Sequence, residues 1–214
     1  MTNTVGVIIP ARGGSKGIPH KNLKLINGRR LIDYPLRIAA ALVPQERIVV
    51  TSDSDVILSA AQERYPDIIM RRRPPELATD EITLDPVLVD AANCLDTSIV
   101  ITLLPTCPFL KVSTLQHALN KFNTAPLLAA VATHEIVWDT SVDKQTVRHE
   151  RTNRQCGNHS LIESGAFSIC NRRSLICSLS RYYYIPDLFP ISKGEAFDID
   201  EPEDLEFARR VRSV

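Results

Sequence analysis

Val5–Pro10 (VGVIIP) is an apolar run that ends on proline and passes directly into Ala11-Arg12-Gly13-Gly14-Ser15-Lys16-Gly17-Ile18-Pro19-His20-Lys21-Asn22. A run this short and this apolar fits a strand covered on both faces, as strands of parallel sheets are. In open sheets of that kind, ligands bind beyond the carboxyl ends of the strands. The loop after this strand is therefore the first place to seek a site. Its glycines let the backbone turn tightly and present N–H groups to an anion. Arg12, Lys16 and Lys21 bring three cations to the same loop. Amide donors with cations are what a polyphosphate requires. The loop is neither a Walker A motif, since GK[ST] is missing, nor a GxGxxG dinucleotide fingerprint.

The remainder alternates in the same manner. Helical spacing covers Leu31–Leu42, Val56–Arg64, Thr83–Cys94 and Thr114–Phe122, with Ser113 as an expected cap for the last. Strand-like runs cover Arg47–Thr51, Asp67–Met70, Ser98–Leu104, Leu127–Ala132 and Gly165–Cys170. Ser52-Asp53-Ser54 reads as a helix start. Glu201-Pro202-Glu203-Asp204 opens a final helix through Arg212, with proline in the first turn and acids around it. Strand–helix alternation predicts an α/β fold: a Rossmann-like, mostly parallel sheet flanked by helices. The stretch 134–160 is polar and aperiodic, and is read as a protruding arm that forms a lid or a dimer contact. With 214 residues the chain suits one domain, 1–214, carrying that arm.

Composition closes off several function classes. Lys plus Arg equals Asp plus Glu at 25 each, so no global field is available to hold nucleic acid or an anionic membrane. No stretch approaches the ~20 apolar residues of a membrane helix, and the N-terminus lacks the basic flank of a secretion signal. The five cysteines show neither CxxC spacing nor a disulfide framework, which fits free thiols in the cytoplasm.

Three further groups carry chemistry. Asp198 and Asp200 stand two apart in Phe197-Asp198-Ile199-Asp200; in extended backbone they share one face and make an oxygen site for Mg²⁺ with substrate phosphates. Of Arg71-Arg72-Arg73, consecutive side chains diverge, and Arg73 beside Pro74-Pro75 is expected to be the one that enters a site. Arg154, in Arg151-Thr152-Asn153-Arg154-Gln155, reads on its own as a surface arginine, although its guanidinium could hold a carboxylate as a bidentate pair.

Taken together, IIPARGGSKGIPHKNL (Ile8–Leu23), LIDYPLRIAAA, VVTSD, RRPPELATD, LLPTCP, RTNRQ, SGAF and FDIDEPEDL resemble, in order, the acylneuraminate cytidylyltransferases, the CMP-sialic acid synthetases. The resemblance runs from about Val5 to Phe207. It implies transfer of CMP from CTP to the anomeric hydroxyl of a sialic-acid-like acidic sugar, with Mg²⁺, in a homodimer built partly by the arm. By position it implies nucleotide binding by Ala11, Arg12, Gly14, Ser15, Lys16, Asn22 and Arg73. It implies catalytic roles for Arg12, Lys16, Lys21 and Asp200, metal binding by Asp198 and Asp200, and sugar binding at Leu104, Arg154 and Gln155. The chain departs from the family pattern at Leu104, where glutamine is usual, at Cys107, where serine is usual, and at Ser164, where asparagine is common. It is one residue shorter around Asp80–Asp85, and the residues after Gln155 also differ. The departures gather on the sugar and base sides, so a different acidic sugar or another nucleotide stays open, as does a nucleotide-binding protein without catalysis. A dehydrogenase is excluded by the first loop.

Overall fold

A computed structural model describes residues 4–124, 129–138, 158–182 and 186–211. In chain order the strands are β1 (Val5–Pro10), β2 (Leu25–Ile26), β3 (Arg29–Arg30), β4 (Ile48–Ser52), β5 (Ile69–Arg72), β6 (Ile99–Leu103), β7 (Ala129–Trp138), β8 (Asn158–Asn171) and β9 (Asp187–Pro190). The α-helices are α1 (Asp33–Leu42), α2 (Asp55–Arg64), α3 (Leu84–Ala92), α4 (Val112–Thr124), α5 (Arg172–Ser178) and α6 (Pro202–Arg210). Seven strands form one sheet in the order β5-β4-β1-β6-β8-β7-β9, and β2 and β3 form a separate hairpin. β5, β4, β1 and β6 are mutually parallel; β8 runs antiparallel between β6 and β7; β9 is parallel to β7. The expected mostly parallel sheet is present, with one strand reversed.

Alternation along β1 explains why its whole run is apolar. Val7 and Ile9 face a core shared with Leu36 of α1, Ile57 of α2 and Leu115 of α4. Ile8 faces the opposite core, with Leu88 of α3 and Leu175 of α5. All three are fully buried. A third cluster lies under α6 and matters most for function. It joins Ile18 of the first loop to Ile199, which stands between the two aspartates, and to Leu205 of α6. One apolar knot thus fixes the first loop against Asp198 and Asp200.

Several sequence expectations are corrected. Helix α4 starts at Val112, ahead of Ser113, and its first turn is served from a distance: the Lys111 amide donates to Glu195 Oε1 at 3.2 Å. β5 lies two residues later than Asp67–Met70. Residues 134–138 and 158–160 are paired strand of β7 and β8 rather than aperiodic chain, while 139–157 lie outside the described residues. α6 opens with a reciprocal capping box between Glu201 and Asp204 and ends at Arg210. Asp204→Ala removes half of that box and should cost about 1 kcal/mol of stability, read as a lower denaturation midpoint with an unchanged m-value.

Candidate functional site

At the carboxyl edges of β1 and β6 lies a cavity of about 520 Å³, lined among others by Arg12, Lys16, Lys21, Leu104, Asp198 and Asp200. Close approach, not left-handed backbone, requires Gly13 and Gly17 of its loop; among the described glycines only Gly28 has positive φ, at 77°. A Cβ on Gly13 would stand 2.9 Å from Ser54 Cβ, and one on Gly17 would stand 2.7 Å from the Asp200 carbonyl oxygen. Gly14 is exposed with open space around it. Ala11 is buried, and its amide extends the β1–β4 pairing by donating to the Thr51 carbonyl at 2.9 Å. Asn22, also buried, donates from Nδ2 to the Arg12 carbonyl at 2.9 Å and so shapes the loop from inside. Ser15 lines the cavity.

The cations are held differently. Lys21 is only 13 % exposed; its Nζ donates to the Ile199 carbonyl at 2.7 Å and lies 3.1 Å from Asp200 Oδ1. Arg12 and Lys16 both meet one carboxylate: Arg12 Nη1 is 2.7 Å from Asp80 Oδ1, and Lys16 Nζ is 2.8 Å from Asp80 Oδ2.

The two aspartates share a face as their spacing predicts, with Ile199 fully buried on the other side. Asp198 is half-buried, and its Oδ1 has no hydrogen-bond partner. Burial raises its pKa above the usual carboxylate range; a Thr106 hydrogen bond opposes this, and the nearby charge of Asp200 adds to it. Asp200 is exposed and faces Lys21. The last helix does not account for the Asp200 side chain, since the capping pair is Glu201 and Asp204; Asp200 contributes only its amide, to Asp204 Oδ2.

Leu104 closes the far wall. Its side chain packs so closely over Gly165 that a Cβ there would stand 2.9 Å from Leu104 Cδ1 and 3.3 Å from Asp198 Oδ2. Cys107 and Ser164, the other two departures from the family pattern, are buried. Desolvation pushes the Cys107 thiol well up. Arg154 and Gln155 lie outside the described residues.

A second cavity, about 420 Å³, opens at the ends of β4 and β5 between Asp53, Arg73, Pro74, Pro75, Ala78 and Thr79. Arg72 lines this cavity as well, so Arg73 is not alone in reaching it, but the three arginines differ in their partners and burial. Arg71 is bidentate to Asp90, Arg72 pairs with Asp55, and Arg73 goes inward, 6 % exposed. Its Nη2 donates to the Thr51 carbonyl at 3.1 Å, its Nε has no partner, and burial lowers its pKa. The guanidinium is thus a buried charge in the cavity wall with one donor left without a partner. Residues 12 and 13 connect the cavities, for the Gly13 amide donates to Asp53 Oδ1 at 2.7 Å. Ser52-Asp53-Ser54 leads into α2 as expected, with Ser54 at its N-cap, and Asp53 in addition anchors the first loop. Nothing local marks the pairings of Asp53 with Gly13 and of Asp80 with Arg12, whose partners lie 40 and 68 residues away along the chain.

Among the described residues, no helix is long and apolar enough to cross a membrane. An N-acylneuraminate cytidylyltransferase of Streptococcus agalactiae is 25 % identical over 211 residues, 92 % of this chain. The alignment takes in 51 % of that protein, so the chain spans about half the length of the curated relatives of this kind. A CMP-N,N'-diacetyllegionaminic acid synthase of Legionella pneumophila is 29 % identical over 97 % of this chain and 95 % of its own length. A solved CMP:2-keto-3-deoxy-manno-octonic acid synthetase complexed with CTP superposes with a TM-score of 0.72 at 20 % identity, over 96 % of this chain and 97 % of that one. The profile of the cytidylyltransferases matches residues 6–212, and the chain belongs to that family.

Proposed function

We propose that this chain transfers CMP from CTP to the anomeric hydroxyl of a sialic-acid-like acidic sugar and releases pyrophosphate. The observation that carries this reading is a single cavity that unites Arg12, Lys16 and Lys21 with the carboxylates of Asp198 and Asp200. The names of the sialic and legionaminic relatives support the cytidine nucleotide and the acidic sugar.

The triphosphate lies along the first loop, where amides supply shape and Arg12, Lys16 and Lys21 supply charge. Cytosine takes the second cavity, between Pro74-Pro75 and Arg73. No group of three or more His, Cys, Asp or Glu among the described residues forms a self-contained metal centre. The donor set nonetheless fits Mg²⁺: two carboxylates on one face, one oxygen of them buried and unpartnered, open to ligand phosphates. Bound there, the ion supplies charge neutralisation and Lewis acidity at the α-phosphate. Lys21 holds the Asp200 carboxylate and the Ile199 carbonyl, so the aspartate segment and the loop keep one geometry. Arg12 and Lys16 offset the charge that builds on the departing pyrophosphate. The sugar approaches from the Leu104 side; by the family resemblance Arg154 is assigned to its carboxylate and Gln155 to the rest of the sugar. The chain is read as a single cytoplasmic unit. It pairs as a homodimer through the strand pair that bears Leu161 and Ile162, which are 47 % and 40 % exposed.

Leu104 favours a second reading within the same chemistry, an acidic sugar that turns an apolar group to this wall, since leucine offers no hydrogen bond. The test is pyrophosphate release with Mg²⁺, pairing CTP, UTP, GTP and ATP with sialic acid, its deoxy bacterial relatives and sugar 1-phosphates. Release with CTP and one nine-carbon acid supports the proposal. Release only with a sugar 1-phosphate overturns the acidic sugar. Nucleotide binding without release overturns catalysis. The same assay reads Arg73→Lys, which keeps the charge but loses the planar fork; KM for CTP should rise about tenfold or more with kcat little changed.

A further inference from the structure

Arg12 and Lys16 have the same partner. One carboxylate, Asp80, spans both, with its two oxygens at 2.7 Å and 2.8 Å from the two cations. The pairing is neither local nor buried: Asp80 is 68 residues from Arg12, and the side chains are 41 %, 78 % and 42 % exposed for Arg12, Lys16 and Asp80. Hydrogen bonds from Lys16 and then Arg12 hold the Asp80 carboxyl below the usual carboxylate range, so it is anionic throughout neutral pH. Lys21, the third cation, is committed elsewhere. With the chain alone, the two loop cations nearest the open mouth of the cavity are therefore engaged by an oxyanion of the protein itself.

A carboxylate and a phosphate present the same feature to a guanidinium or an ammonium: two oxygens and a negative charge. We propose that Asp80 is an internal stand-in for phosphate, a specificity-determining residue that masks the Arg12–Lys16 seat until a polyphosphate displaces it. A ligand that needs the seat binds with its affinity reduced by the fraction of time the seat is masked. An exposed pair is weak, so a triphosphate bearing several charges displaces it readily. A singly bound anion such as orthophosphate gains too little to compete. Asp80 directly follows Ala78 and Thr79, which line the second cavity, so the mask hinges on the wall assigned above to the base.

This inference rests on reading the loop as a phosphate seat, and the experiment separates the two. Calorimetry measures binding of inorganic tripolyphosphate, orthophosphate, CTP and cytidine to the wild-type chain and to Asp80→Asn. The amide keeps the shape and removes the charge. Tripolyphosphate and CTP should bind about five- to tenfold tighter to the variant, orthophosphate should become detectable, and cytidine should be unchanged. Raising the salt concentration should narrow the gap, because it loosens the mask in the wild type as well. If Asp80 instead braces the loop, Asp80→Asn weakens both polyphosphates; that result, or equal affinities, overturns the mask and leaves the seat intact. Wild type that binds neither tripolyphosphate nor CTP overturns the phosphate reading, and the mask with it.

Discussion

Asp198→Asn should lower pyrophosphate release about a thousandfold while raising the melting temperature by about 2 °C. The two effects have one origin. Asp198 is half-buried beside another carboxylate, and its Oδ1 has no protein partner, so the folded chain tolerates the charge at a cost. Asparagine removes that cost and, with it, half of the anionic pair proposed to bind the metal. A site tuned for function at the expense of stability responds to substitution in this opposed way. Turnover near that of the wild type would sink the metal assignment. Lower stability with turnover lost would mean that the carboxylate serves the fold instead. Differential scanning fluorimetry and the release assay on one preparation give both readings, and Mg²⁺ titration of the apparent Tm gives a third that does not depend on turnover.

Gly17→Ala should reduce kcat/KM by about a hundredfold with the fold intact. The added methyl would meet the Asp200 carbonyl oxygen at 2.7 Å, and that atom is backbone, so it cannot rotate away. Either the loop or the aspartate segment must give by several tenths of an ångström. That separates Lys21 from Asp200 and Ile199, the contacts through which loop and carboxylates keep register. Gly194→Ala is the control: a Cβ there meets nothing within 4 Å, and activity should stay within about twofold of wild type. Equal activity of the two variants would show that loop and aspartates need not be in contact for turnover.

What could be read from the sequence is what local pattern encodes. β1 and its loop are legible because both the burial and the anion chemistry lie in one continuous segment. Asp198 and Asp200 are legible because a period of two in extended chain needs no tertiary knowledge, and Arg73 because Pro74-Pro75 fixes the backbone beside it. The remainder depends on partners far away along the chain. Glu195 serves the start of α4 across 84 residues, which is why Ser113 was a misleading cap. Asp53 reaches Gly13 across 40. The reversed β8, inserted between β6 and β7, and β9 at the sheet edge are placed by pairing between strands distant in sequence, and no periodicity records that. α5 did carry a signal that could have been used: Asn171 ends a strand and its side chain accepts from the Ser174 amide at 3.2 Å.

The strand order has a consequence for how such a chain can diversify. β5 and β4 support the cavity assigned to the base, β1 supports the anion loop, and β6 with β8 supports the wall formed by Leu104 and Gly165. On the proposed reading, the parts of the ligand would lie across the sheet in the sequence base, phosphate, acceptor, each above its own strands. Mutations that recruit a new acceptor can accumulate on one flank while the opposite flank, and the reaction it serves, is inherited unchanged. Transplanting the segments around residues 104–107 and 161–166 between relatives should therefore exchange acceptor preference as a cassette, with the nucleotide preference staying behind in the recipient.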